Sequence, residues 1–117
     1  MFDLVATDAS GGVTVLTVTG EIDMASAPRL RQELVRIATD SPTEPRIVLD
    51  LCGVDLLDTT GIAAILEGVK RCALRNGALA LARAEPQVER ELRLTRLLEV
   101  LPAHPSVDDA VAALRAV

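Results

Sequence analysis

The chain has 117 residues, half of them hydrophobic, with twelve basic and seventeen acidic side chains and a net charge of −5. This length suits a single domain over residues 1–117 with its own core. Phe2 is the sole aromatic residue, so the chain offers no aromatic surface for stacking bases, and it has no basic run for phosphates. We therefore expect no nucleic-acid binding. No apolar stretch reaches the roughly 18 to 20 residues that cross a bilayer, and the N-terminus lacks the basic segment of a signal peptide. These features predict a cytoplasmic protein that does not bind membranes.

The first third of the chain predicts two strands and a helix. Residues 4–7 and 13–19 form a predicted hairpin around Gly11 and Gly12, and its second strand is rich in β-branched residues and ends at Gly20. Ser26 is the predicted N-cap of a helix. The apolar stripe of that helix is Ala27, Leu30, Leu34, Ile37 and Ala38.

The remaining chain alternates strands with helices. The predicted strands are residues 46–51, which suit a central strand, residues 78–82, and a short edge strand at 99–101. The predicted helices are residues 60–75, stopped at Asn76 and Gly77, residues 86–94, and a last helix from 107 capped by Ser106. The stripe predicted for the 60–75 helix is Ile62, Ile65, Leu66, Val69 and Ala73. The order ββαβαβαβα predicts an α/β domain with a mixed sheet of four to five strands and about four helices.

Catalysis and metal binding are not expected from the residues present. His104 is the sole histidine, and no nucleophile-elbow, phosphate-loop or dinucleotide motif occurs. Cys52 and Cys72 lie twenty positions apart without the spacing of a metal or redox pair. We expect two reduced thiols, buried or half-buried, with a redox-sensing pair as the alternative. The chain is thus predicted to be a non-enzyme without cofactor or metal.

One motif stands where a loop enters a predicted helix. Asp58, Thr59, Thr60 and Gly61 follow a strand directly and precede an amphipathic pattern. An acid at this position is an ordinary N-cap. Adjacent hydroxyls at a helix start are also exposed, and the positive end of the helix dipole tolerates added negative charge. The motif is therefore either a cap alone or a cap beside a phosphorylation site.

A second motif favours the phosphorylation site over a cap alone. Gly20, Glu21, Ile22 and Asp23 follow the second strand, while the Asp58 motif follows the third. With both motifs, its length and its element order, the sequence resembles the bacterial anti-sigma factor antagonists, single-domain members of the STAS family. The resemblance implies a STAS-like fold and a partner, an anti-sigma factor with serine/threonine kinase activity, which the unphosphorylated antagonist binds so that the sigma factor is freed.

The resemblance also implies the regulation and the site. The kinase phosphorylates the residue after the motif aspartate, here Thr59, and a phosphatase restores binding. The family commonly has serine at this position, threonine is a stiffer side chain, and Thr60 is the fallback acceptor. The residues expected to contact the partner are Glu21, Asp23, Asp58, Thr59, Thr60, Gly61, Ala63, Ala64, Glu67, Gly68 and Arg71. Two alternatives remain open: an unphosphorylated scaffold subunit of another assembly, such as a lipid transporter, and a small-molecule sensor.

Overall fold

The computed structural model describes residues 1–116. Within them the elements are strands β1 (Asp3–Ala9) and β2 (Val13–Ile22), helix α1 (Ala27–Asp40), strand β3 (Arg46–Leu57), helix α2 (Thr59–Ala73), strand β4 (Ala78–Ala82), helix α3 (Pro86–Leu94), strand β5 (Ala103–His104) and helix α4 (Val107–Arg115). The predicted α/β class and element order are confirmed.

The strands form one mixed sheet in the order β1-β2-β3-β4-β5. β1 pairs antiparallel with β2, and the pairs from β2 to β5 are parallel. β3 is central and alternates between two cores, because Ile47 and Leu49 pack with α1 and α2, while Val48 packs with α4. Helix α4 therefore covers part of the face opposite α1, α2 and α3, a choice that the sequence pattern had left open.

Two strands extend beyond their predicted ends. β2 continues through Gly20 to Ile22, and β3 continues to Leu57, so the predicted bounds 13–19 and 46–51 are wrong. Gly20 has φ 96°, and a Cβ on it would lie 2.2 Å from the Met1 carbonyl oxygen. Glycine is thus required there for close approach of the N-terminal segment, and it does not end the strand. Because Ile22 pairs with Leu57, the strands end together and bring the two sequence motifs side by side.

Other boundaries also differ from the predictions. Residues 97–99 form a short 3₁₀ turn and the edge strand is Ala103–His104, so the strand predicted at 99–101 is wrong. The apolar residue Leu101 is buried in the core instead. Helix α2 begins one residue earlier than predicted and ends at Ala73; Asn76 in the left-handed conformation (φ 61°) then turns the chain. The Ser106 cap of α4 is confirmed by its bond from the Asp109 N–H at 3.0 Å.

Candidate functional site

The two motifs meet at the carboxyl end of β2 and β3. The Asp58 N–H donates to the Ile22 carbonyl at 3.1 Å. Gly61 is buried under the same residue, since a Cβ on it would lie 2.5 Å from Ile22 Cγ2. The first turn of α2 is therefore fixed against the end of β2, and Gly61 permits this packing, while its contact with a partner stays a prediction.

Asp58 is the N-cap of α2. Its Oδ1 accepts from the N–H groups of Thr60 at 3.0 Å and Gly61 at 3.1 Å, and also from the Thr60 hydroxyl. These bonds, with that of the Thr60 hydroxyl first, hold the pKa of Asp58 below its ordinary value; partial burial opposes them, and the Met24 amide adds a smaller lowering contribution. The carboxylate is therefore ionised at neutral pH.

The neighbouring hydroxyls differ in their bonding. The Thr59 side chain is exposed at the first position of α2, and its hydroxyl has no hydrogen-bond partner among residues 1–116. The Thr60 hydroxyl donates to Asp58. Modification of the Thr60 hydroxyl would remove its hydrogen bond to the capping carboxylate of Asp58. The Thr59 hydroxyl is accessible, and its modification would break no hydrogen bond among residues 1–116.

The turn between β2 and α1 is held by Asp23 and Ser26. The Asp23 carboxylate accepts from the N–H groups of Ala25 at 3.0 Å and Ser26 at 3.1 Å. Ser26 occupies the predicted N-cap position of α1, but its side chain bonds no helix N–H; its hydroxyl donates to the Glu21 carbonyl at 2.6 Å and accepts from the Asp23 N–H at 2.9 Å. Since Ser26 has helical dihedral angles, the chain already turns at Asp23. Of the two acids predicted to face a partner, Glu21 is exposed, while Asp23 is committed to its own turn.

Helix α1 covers part of the surface of α2 that was predicted to dock a partner. Ala64 is only 3% exposed and Gly68 is buried. A Cβ on Gly68 would lie 2.9 Å from Leu34 Cδ1, so the small residues permit contact between α1 and α2. Ala64 and Gly68 thus pack against α1, with Ala64 also lining the groove between the two helices, and their contact with a partner stays a prediction.

The apolar stripe predicted for α2 is correspondingly shifted. Ile62 and Ile65 are buried as expected, but Ala73 is exposed and Cys72 is buried in its place. Leu66 and Val69 are only partly buried. Of the small residues predicted to lie on the surface of α2, Ala63 is exposed, whereas Ala64 and Gly68 are buried.

Residues of α1, of α2 and of the turn before α1 line a groove beside the motif. Met24, Pro28 and Arg31 form one side, and Thr60, Ala63 and Glu67 form the other. Met24 is 77% exposed, and Glu67 pairs with Arg71 at 2.9 Å. The sequence prediction omitted Met24, although an apolar residue just after Asp23 in an otherwise small or polar turn was an available signal.

The cysteines and the histidine lie outside this arrangement. Both thiols are free; Cys72 is buried as predicted, whereas Cys52 is exposed and not half-buried. Burial raises the pKa of the Cys72 thiol to about 11. His104 lies on β5, separated from β3 by β4. Residues 1–116 contain no group of side chains placed to hold a metal ion.

The length and hydropathy of the helices decide whether any of them could span a membrane. Among residues 1–116, no helix is both long and apolar enough to span a bilayer.

Comparison with known proteins identifies one domain family and, within it, named relatives. The STAS domain family model matches residues 5–110. A candidate anti-anti-sigma factor of Mycobacterium tuberculosis is 30% identical over 105 residues, covering 90% of this chain and 71% of the relative. The anti-sigma-F factor antagonist RsfA of the same organism is 29% identical over 100 residues, covering 85% of this chain and 77% of the relative.

A solved structure is similar over nearly the whole chain. The crystal structure of an anti-sigma factor antagonist from Mycobacterium paratuberculosis superposes with a TM-score of 0.83 at 29% identity, covering 98% of this chain and 95% of the other. The mixed sheet and its flanking helices are thus those of a solved antagonist.

Proposed function

This chain belongs to the STAS domain family, and on that premise we propose that it is an anti-sigma factor antagonist controlled by phosphorylation of Thr59. Unphosphorylated, it binds an anti-sigma factor that has serine/threonine kinase activity and thereby releases the sigma factor. The names of its relatives support the antagonist role. The observation that carries the regulation is the contrast between an exposed, unpaired Thr59 hydroxyl and a Thr60 hydroxyl bonded to Asp58.

The geometry of the helix start favours Thr59 over the fallback acceptor. A kinase must bring the γ-phosphorus of ATP in line with an accessible hydroxyl oxygen. Thr59 lies at the first position of α2 and points into solvent. The Thr60 oxygen must first leave a charge-assisted bond to Asp58, a bond stronger than one between neutral groups. Thr59 is therefore the proposed acceptor and Thr60 a support for the cap.

Phosphate on Thr59 would change the charge of the docking surface. A phosphothreonine carries about −1.5 to −2 charges at neutral pH. It would stand next to an ionised Asp58, and the exposed Glu21, which pairs with Leu56 of β3, adds a further acid at this end of the sheet. A partner surface that accommodates a neutral hydroxyl would meet a doubly charged group there, so affinity should fall until a phosphatase removes it.

The docking surface is narrower than the one predicted from the sequence. We assign to it the motif residues Asp58, Thr59 and Thr60 together with Ala63 and Glu67, and we add Met24 from the facing turn. Ala63 is exposed on the outer side of α2 and has a small side chain, which permits close approach of a partner. Arg71 continues this side of the helix through its ion pair with Glu67.

The wider proposal is a regulator that acts by binding. We take residues 1–117 as one domain working in the cytoplasm, where its kinase and sigma factor would be. The relatives are named as antagonists, and we propose that this chain has no catalytic role of its own; its phosphoryl transfer chemistry is done by the partner.

Affinity capture from lysate of the native organism tests the proposal. Immobilised unmodified chain should retain a protein with an ATP-binding kinase domain, identified by mass spectrometry. Thr59→Ala should retain it equally, whereas Thr59→Glu should lose it. Retention by all three forms would refute the switch, and absence of any kinase-like partner would refute the antagonist function.

A further inference from the structure

Ser26 is a buried hydroxyl whose function the phosphorylation site does not explain. It is 7% exposed and, with Asp50, makes up the buried polar side chains of the described chain. Its oxygen bonds to the Glu21 carbonyl and the Asp23 N–H. These contacts close a turn that spans residues 21–26.

The same turn reaches the phosphorylation motif through its backbone. The Ile22 carbonyl accepts from the Asp58 N–H at 3.1 Å, and the Met24 amide contributes to the lowered pKa of Asp58. The Met24 side chain also stands at the rim of the groove between α1 and α2. The position of Asp58 thus depends on the shape of a turn that lies in a different part of the sequence.

The Ser26 hydroxyl makes two of the hydrogen bonds that hold that turn. Without it, the Asp23 N–H and the Glu21 carbonyl would each lose a partner in a partly buried setting, which is costly for backbone groups. The carboxylate of Asp23 would still hold the Ala25 and Ser26 amides, so the turn would loosen without unfolding.

Resting on the proposed function, we infer that Ser26 is a positioning residue of the switch, holding the turn that orients Asp58 and presents Met24. Threonine at this position keeps the hydroxyl and should keep the effect. Alanine removes it. The role is distinct from helix capping, because Ser26 bonds no helix N–H.

The test follows Asp58 in the full chain without any partner. Carboxyl ¹³C NMR titration gives its pKa, and hydrogen exchange of its amide reports the bond to Ile22. Ser26→Ala should raise the pKa of Asp58, by less than Thr60→Val does, and should speed exchange of the Asp58 amide by about tenfold, the scale of one lost buried hydrogen bond. Ser26→Thr should restore both values.

Ser106→Ala is the matched control, since it also removes a turn hydroxyl, but at α4. It should leave the Asp58 titration unchanged. If Ser26→Ala does not fold, Ser26→Cys, which keeps the size but hydrogen-bonds weakly, takes its place. An unchanged Asp58 pKa with exchange accelerated equally at core amides would reduce Ser26 to a structural residue and overturn the inference. Because no partner is used, this outcome is independent of whether the capture experiment succeeds.

Discussion

The hydroxyl of Thr60 donates a hydrogen bond to the carboxylate of Asp58. With the backbone donors of the same turn, it holds the pKa of Asp58 below the ordinary value of 3.8. A group whose pKa is depressed on folding contributes stability that is fully present above its unfolded pKa and is lost as pH falls through its folded pKa. The cap of α2 is therefore sensitive to acid, in a window that begins near 3.8 and extends below it.

Asp58→Asn should remove this dependence. Asparagine caps helices about as well as aspartate but carries no charge, so the variant should be less stable than the native chain at neutral pH. The difference in the free energy of unfolding should shrink as the pH falls below 3.8, because the native carboxylate becomes protonated at lower pH than the carboxylate of the unfolded chain. Urea denaturation from neutral pH to below pH 3.8 measures this difference in the free energy of unfolding. A difference that stays constant with pH would contradict the lowered pKa of Asp58.

Gly68→Val should destabilise the fold, although Gly68 was predicted to face a partner. Its Cβ would crowd Leu34 Cδ1 at 2.9 Å, and overpacking of this kind costs about 1–3 kcal/mol. For a domain of this size the melting temperature should then fall by about 4–8 °C per kcal/mol. Ala63→Val, at an exposed position of the same helix, is the control and should cost only about 0.5 kcal/mol. Equal melting temperatures would show that α1 does not cover Gly68.

The thiols should differ in reactivity. Cys52 is exposed, while Cys72 is buried and burial raises its pKa to about 11. Since the thiolate is the reacting form, iodoacetamide should add to Cys52 in the native chain and reach Cys72 only after denaturation. Intact mass followed by peptide mapping checks this result. Labelling of Cys72 at the rate of Cys52 would show that α2 opens readily. In a separate experiment, loss of partner binding in a folded Cys52→Ser/Cys72→Ser variant would show that a thiol is essential.

The sequence predicted element types well because periodicity records which face is buried. The stripes of α1 and the β-branched run of β2 match the buried residues found. The predicted end of β2 at Gly20 was wrong, because glycine is a common signal for the end of a strand. Here glycine is needed for a tertiary contact with Met1, which the local sequence does not show. The prediction of which face of α2 is buried was partly wrong for a similar reason. Alanine and glycine have too little side-chain surface for the sequence pattern to show which of them are buried, and the position of α1 decides it.

The site was predicted in composition but not in its internal bonding. Asp58 was recognisable as a cap from its place before a helical pattern. No pattern could say that the Thr60 hydroxyl is occupied and the Thr59 hydroxyl is unpaired, because this depends on side-chain rotamers. The link from Ser26 to Asp58 joins residues far apart in sequence and follows from the common end point of β2 and β3.

Phosphorylation of Thr59 should leave the fold intact. The N–H groups of Thr60 and Gly61 are already bonded to Asp58, so the phosphate gains mainly from the helix dipole, by about 0.3–1 kcal/mol. Repulsion from Asp58 is of similar order, about 1 kcal/mol in a water-like dielectric, and the two nearly cancel. The modified chain should melt within about 4–8 °C of the native one. A collapse of the circular dichroism signal on phosphorylation would show that the switch works by unfolding.

The affinity of the phosphorylated chain for its captured kinase decides whether Thr59 is a switch. The chain is phosphorylated with that kinase and ATP, the phosphate is located by tandem mass spectrometry, and both forms are titrated against the partner calorimetrically with Thr59→Ala as control. We expect phosphate on Thr59 and affinity weakened roughly 100-fold, since a misplaced charge at an interface costs several kcal/mol and each 1.4 kcal/mol is about tenfold. Equal affinity of the two forms, or phosphate on Thr60 alone, would show that Thr59 is not the switch.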